Sequence, residues 1–133
     1  MSAITSDNHQ KSALVAFKMK TSVVIATRNR AQILKENVAK LLSLTNVEEI
    51  VIVDDASDYN VCESIKGLTS QSEMYIKRLS YHRNTKRLRE PASWNAGSRM
   101  ATGELVAFLN DDSFINDAKS VEAVKVRFKA HPD

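Results

Sequence analysis

The sequence predicts an α/β domain in which a mainly parallel sheet is sandwiched by helices. Four short apolar runs, most of them rich in β-branched residues, read as buried strands. Segments with helical apolar spacing separate them, so strand and helix alternate along the chain. Strands one, two and four end in polar turns, two of which carry adjacent carboxylates. Folding alone has little use for such pairs, because like charges repel and neither is buried cheaply without a partner.

The first strand is "TSVVIA" (21–26), which stops at the turn Thr27-Arg28-Asn29-Arg30. Ile33, Leu34, Val38, Leu41 and Leu42 then recur at helical spacing and predict a helix over 31–44. "EEIVIV" (48–53) is the second strand and ends in Asp54-Asp55. A Ser/Asp/Asn turn leads into a short helix around 60–67 that stops near Gly67. "EMYIKRLSY" (73–81) alternates as a strand near a sheet edge. The polar loop 82–91 ends at Pro91, and 92–101 form a helix closed by Gly103. Residues 104–109 are the fourth strand, ending at Asn110-Asp111-Asp112. Asp117 caps a final helix whose Val121, Val124 and Phe128 share a face.

At 133 residues the chain has room for one core, with residues 1–17 a loosely ordered lead-in and 18–133 a single domain. A 43% hydrophobic and 26% charged composition is that of a globular, water-soluble chain. The net charge of +3 suits an anionic ligand. Arg83, Lys86, Arg87 and Arg89 form one short cluster without interleaved stacking aromatics, which reads as a solvated basic loop and argues against nucleic acid. Cys62 is the only cysteine, so neither a disulfide framework nor a cysteine-rich zinc site is expected, and a reducing cytoplasm fits. No apolar run approaches the roughly 20 residues of a membrane span.

In parallel sheets of this kind the ligand lies outside the carboxyl ends of the strands, where strand order reverses. Thr27 and Arg28, Asp54 and Asp55, and Asn110 to Asp112 therefore line one expected cleft. No glycine-rich phosphate loop of the dinucleotide or P-loop kind occurs, so a bound diphosphate needs another counter-charge. A divalent ion, Mn2+ or Mg2+, is the simplest, with Asp112 beside Asp111 or Asn110 as its carboxylate. An acid at the end of a second strand is the usual partner of a ribose hydroxyl or a base edge. The competing structural reading is that these acids cap turns or pair with Lys and Arg. For Trp94 and Asn95 the alternatives are a helix packed on the sheet or an amide near the diphosphate. His9, His82 and His131 have no metal-ligand spacing, and Ser57 and Ser98 have no histidine near them in sequence.

"SVVIATRNR", "EIVIVDDAS", "WNAGSRMATGE" and "VAFLNDDS", in this order, resemble the inverting family 2 glycosyltransferases of the GT-A fold. Each motif alone is weak, but four in order are specific. The resemblance runs from about Thr21 to the closing "AHPD". It implies the Rossmann-like, nucleotide-binding half of that fold, a nucleotide-diphosphate sugar donor (UDP- or dTDP-linked), and a divalent metal. It also implies transfer with inversion to a glycan or lipid-linked acceptor, in the cytoplasm or at the inner face of the membrane. By this resemblance Thr27, Arg28, Asn29 and Arg30 form the nucleotide-binding turn, and Asp54 and Asp55 match the acids that contact base and ribose. Asn95 and Gly97 lie in the segment that approaches the donor. Asn110, Asp111 and Asp112 fall on the acidic metal motif, with Asp112 matching the metal ligand.

Several positions depart from the common pattern of that family. Ala26 stands where proline is frequent, Arg28 where an aromatic is frequent, and Ala56 where glycine is frequent. Trp94 replaces an arginine and Asn110 replaces the first acid of the metal motif. In the resembling enzymes a later carboxylate is the general base, so that group is expected beyond Asp133 and the chain reads as truncated before its acceptor-binding part. A nucleotide-sugar-binding module without catalysis is the alternative, and a dinucleotide binder using Asp54 on ribose is a third. An edge left open by a missing half would favour self-association.

Overall fold

The computed structural model describes residues 19–44, 46–71 and 78–113. Along them run β1 (Thr21–Thr27), α1 (Ala31–Ser43), β2 (Glu49–Asp54), α2 (Val61–Gln71), β3 (Arg78–Arg83), α3 (Glu90–Met100) and β4 (Leu105–Asn110). The strands pair in the order β3-β2-β1-β4, parallel at every junction, which is the architecture expected from the alternation of elements. Every residue of β1 and β2 is buried, which explains why both read as continuous apolar runs rather than alternating ones.

Side chains of opposite parity on these strands feed two cores. Val23, Ile25, Ile50 and Ile52 meet Leu34, Val38 and Leu41 of α1 and Val61, Ile65 and Leu68 of α2 on one face. Val24, Val51 and Val53 meet Trp94 and Met100 of α3 on the other. Each large side chain fully buried here stabilises the fold by about 1.5–3 kcal/mol. The Trp94 ring also lies 5.8 Å from Phe108 on the edge strand β4, and its indole N–H donates to the Leu109 carbonyl. Trp94 is thus a packing residue that ties α3 to β4.

Several boundaries differ from the sequence expectation, among them the end of the third strand, which continues to Arg83 in register with Asp54. Helix α2 continues through Gly67 to Gln71, because Gly67 is not left-handed and Leu68 extends the buried stripe. Helix α3 begins at Glu90 and takes Pro91 into its first turn, where a missing N–H costs nothing. Gly103 does not close α3 by a left-handed turn, since no glycine here has positive φ. A Cβ at Gly103 would stand 2.8 Å from the Lys20 carbonyl oxygen and 2.8 Å from the Ser22 backbone nitrogen, so the glycine is needed for close approach. The third strand is described only from Arg78, and the lead-in and the Asp117 helix lie outside the described residues. No described helix is long and apolar enough to cross a membrane.

A buried acid locks the amino end of the sheet. Glu49 is 0% exposed and accepts hydrogen bonds from Ser22 Oγ (2.6 Å), the Thr102 N–H (2.7 Å) and Thr102 Oγ1 (3.2 Å). Ser22 Oγ in turn accepts from the Gly103 N–H at 2.8 Å. Burial alone would raise the Glu49 pKa, but the bonds from Ser22 and Thr102 and the Lys20 charge outweigh it and hold the carboxyl below its ordinary value.

A lowered folded-state value means that this stability is complete above the ordinary value of 4.5 and is lost as pH falls through the lowered one. Glu49→Gln should therefore cost about 1–2 kcal/mol at about pH 7 and much less at about pH 3, read from urea unfolding at both. An equal cost at the two pH values would contradict the assignment. On the other face, a Cβ at Gly97 would meet Val24 Cγ1 at 2.3 Å and Val53 Cγ2 at 3.1 Å. Gly97→Ala is expected to destabilise by about 1–3 kcal/mol in the same measurement, since both valines are β-branched and packed.

Candidate functional site

The parallel register brings the carboxyl ends of the strands to one edge: Thr27 pairs with Asp54, Asp54 with Arg83, and Ala26 with Asn110. From β1 the chain builds outward through β2 and β3, then returns to the other side of β1 as β4. The reversal falls between β1 and β4, and a cleft of about 580 Å³ opens at this edge. One wall comes from Ala26, Thr27, Arg28 and Arg30 with Asn110, Asp111 and Asp112; the other from Asp55, Arg87, Arg89, Glu90 and Pro91.

On the first wall the two acids behave differently. Asp111 is buried, accepting Thr27 Oγ1 on Oδ2 at 3.0 Å and Arg30 Nη1 on Oδ1 at 3.2 Å. The same Arg30 nitrogen reaches Asp112 Oδ2 at 3.3 Å, and the Asp112 side chain is 50% exposed. Asn37, fully buried on α1, donates to the carbonyls of Asp111 (3.4 Å) and Ser113 (2.9 Å), so the helix holds the turn that carries both acids. Burial pushes the Asp111 carboxyl above its ordinary range and the Asp112 charge adds to this, against the pull of Thr27 and Arg30.

The opposite wall hangs on Asp55. Its Oδ1 accepts the Leu88 N–H at 2.6 Å and Asn84 Nδ2 at 3.0 Å, and its Oδ2 accepts the Arg89 N–H at 2.8 Å. Burial raises its pKa, yet these bonds and the Arg87 charge hold it below the ordinary carboxylate value. Asn84 also donates to Ser93 Oγ at 3.0 Å, which joins the end of β3 to the start of α3. Arg89, anchored by this pin, has φ 72° and ψ 173°, a region that essentially only glycine enters freely. The strain occurs where the Arg89 side chain lines the cleft.

Of the residues marked in the sequence, Thr27, Arg28, Arg30, Asp55, Asn110, Asp111 and Asp112 are brought together on the cleft. Asn29, Asp54 and Asn95 are not among its lining residues. Asn29 clips two turns together: its N–H donates to Ser57 Oγ at 2.8 Å, and its amide exchanges hydrogen bonds with Asp58. Asp54 is 0% exposed and accepts from Ser57 N–H (3.0 Å), Ser57 Oγ (2.5 Å) and the Tyr81 hydroxyl (2.6 Å). Asn95 is exposed on α3. Gly97, placed by the resemblance in the segment that approaches the donor, is buried where α3 packs closely on Val24 and Val53. Arg87 and Arg89, read from sequence as part of a solvated basic loop, are exposed as that reading expects and also line the cleft. Arg28 Nε is buried without a hydrogen-bond partner among the described residues, a donor left over for a ligand.

The model of the family described as "Glycosyl transferase family 2" matches residues 22–133. An uncharacterized glycosyltransferase, alr2836, from Nostoc sp. (strain PCC 7120) is 37% identical over 109 residues, covering 81% of this chain and 33% of that protein. The mannosyltransferase PcManGT from Pyrobaculum calidifontis, solved with GDP-Man and Mn2+, superposes with a TM-score of 0.69 at 18% identity, over 93% of this chain and 42% of that one. TarS 1-349 from S. aureus gives 0.70 at 21% identity, over 86% and 33%. The chain thus spans about a third of the curated relative's length, and the two solved structures are likenesses of fold.

Ala56, directly after Asp55, has φ 56° and so sits left-handed, where an L side chain costs about 1–2 kcal/mol. Ala56→Gly should raise the melting temperature by a few degrees, for a net gain of about 0.5–1 kcal/mol once the extra freedom of the unfolded glycine is subtracted. A lower melting temperature in calorimetry would show that the turn is not strained.

Proposed function

The chain belongs to glycosyl transferase family 2, and on that footing we propose that it binds a nucleotide-diphosphate sugar with a divalent metal and serves an inverting sugar transfer to a glycan or lipid-linked acceptor. The observation that carries this reading is the pair Asp111–Asp112 lining, together with Arg28, Arg87 and Arg89, one cleft at the switch point of a parallel sheet.

The donor set suits a hard cation that keeps positions open for phosphate. Among the described residues no group of three or more His, Cys, Asp or Glu side chains could hold an ion. Mn2+ or Mg2+ needs no such cage, because one or two carboxylates with phosphate oxygens and water suffice. Asp112, half exposed and held only by Arg30, is the more available carboxylate for that role, and Asp111 is its braced neighbour. When bound there, the ion would supply positive charge to the diphosphate as it leaves.

The chain's own residues supply the rest. Arg28, Arg87 and Arg89 offer guanidinium groups to phosphate oxygens, which matters in a cleft without a glycine-rich loop. Asp55 Oδ1 already accepts two bonds, whereas Oδ2 accepts one and keeps capacity for a ribose hydroxyl or a base N–H. Asp54 and Asn29 contribute by holding the turns from which these groups project. Transfer with inversion also needs a base for the acceptor proton. Asp55 and Asp111, with each oxygen already engaged, do not suit that task, and we assign it to a group outside the described residues.

Thermal melts with UDP-, dTDP- and GDP-sugars, each with and without Mn2+, test the reading. A ligand at a hundred times its Kd stabilises by about 2.7 kcal/mol, an upward shift of several degrees. Asp112→Ala should abolish the metal-dependent part of that shift and leave the metal-free melt within about 0.5 kcal/mol of the parent. No shift with any donor would remove the support for a nucleotide-sugar cleft.

A further inference from the structure

We propose that Arg30 stands in the ligand-free cleft as the counter-cation of Asp111 and Asp112, and thereby makes divalent-metal binding conditional on the donor's diphosphate. The proposal rests on reading the cleft as a nucleotide-sugar site. A single nitrogen, Arg30 Nη1, bridges Asp111 Oδ1 at 3.2 Å and Asp112 Oδ2 at 3.3 Å. Two adjacent carboxylates repel, and the guanidinium that contacts both offsets that repulsion. Asp111 cannot turn another oxygen to an incoming ion, because Thr27 Oγ1 holds Oδ2. A metal on Asp111 therefore competes with the guanidinium for Oδ1, and a metal on Asp112 meets the guanidinium's charge beside Oδ2.

The geometry suits a displaceable counter-ion rather than a fixed structural one. Both contacts are longer than the roughly 2.7–2.9 Å of strong charge-assisted bonds, and the Arg30 side chain is 56% exposed, so the pair is weak. The Arg30 backbone is fixed independently, since its carbonyl accepts the Leu34 N–H at 3.0 Å at the start of α1. The side chain can swing while the turn stays.

Where it swings decides the coupling. The cleft around it already holds Arg28, Arg87 and Arg89. Moving a fourth guanidinium from its carboxylates toward those three is unfavourable unless an anion lies among them. A diphosphate is such an anion. With it bound, Arg30 exchanges carboxylates for phosphate and the metal takes its place on the acids. Metal and diphosphate then bind with positive, reciprocal coupling.

The experiment measures Mn2+ binding to wild type and Arg30→Gln through the electron paramagnetic resonance signal of the free ion. It is run without nucleotide and with saturating UDP, against protein-free UDP controls, with circular dichroism to show that each protein is folded. Arg30→Gln should bind Mn2+ alone at least about fivefold more tightly than wild type, roughly 1 kcal/mol, and gain less from UDP. Arg30→Lys, which keeps a cation on the turn, should stay near wild type. Adding Asp112→Asn to Arg30→Gln should erase the gain. If Arg30→Gln binds Mn2+ no more tightly while UDP still promotes Mn2+ binding in wild type, the inference falls and the nucleotide-sugar reading stands. If neither protein binds Mn2+ or UDP under any condition, both fall.

Discussion

The central position of β1 is the constraint on which the rest depends. It is hydrogen-bonded to β2 on one side and β4 on the other, in parallel and in register, with all seven of its residues buried. That arrangement forces the turns after β1, β2 and β4 to the same edge of the sheet. It also leaves room there, because chain leaving β1 goes one way and chain arriving at β4 comes from the other. The cleft is what remains between those departures. At the opposite edge, Glu49, Ser22, Thr102 and Gly103 tie β1, β2 and the α3–β4 connection together, so the sheet is locked at one end and open at the other.

Charge is distributed in the cleft by different means on its two walls. Asp55 is held below its ordinary pKa and engaged on both oxygens by backbone N–H groups and the Asn84 amide, so it acts as a scaffold for the loop that presents Arg87 and Arg89. Asp111 is buried with fewer donors, and only a hydroxyl and a shared guanidinium hold it. Asp112 has one weak partner and half its surface in water. The three carboxylates thus grade from structural to available. The available one lies where the family's metal ligand was expected by resemblance.

Much of the fold is legible in the amino-acid pattern. The four strands, the helix over Ala31–Ser43 and the parallel sheet follow from periodicity and β-branched runs, whose consequences are local. The pattern misleads where a residue's meaning depends on distant neighbours. Gly67 and Gly103 look alike as helix stops, yet one is a surface position inside a helix and the other accommodates the Lys20 and Ser22 backbones. Asp54 and Asp55 are adjacent and chemically identical, but strand alternation sends one into the Ser57–Tyr81 network and the other to the cleft wall. Arg87 and Arg89 are exposed, as a solvated loop should be, but nothing in their own sequence shows that Asp55, more than thirty residues earlier, holds the Leu88 and Arg89 backbone beside the cleft.

By itself the sequence determined the kind of elements, their order, the family and the acids at the strand ends, because each is encoded in spacing along the chain. Only the tertiary structure decided how fully each acid is engaged, which arginines line the cleft, and that one Arg30 nitrogen contacts both Asp111 and Asp112. Those outcomes turn on pairings between residues up to about eighty positions apart, and a carboxylate's availability is set by what lies opposite it in space rather than by its neighbours in sequence.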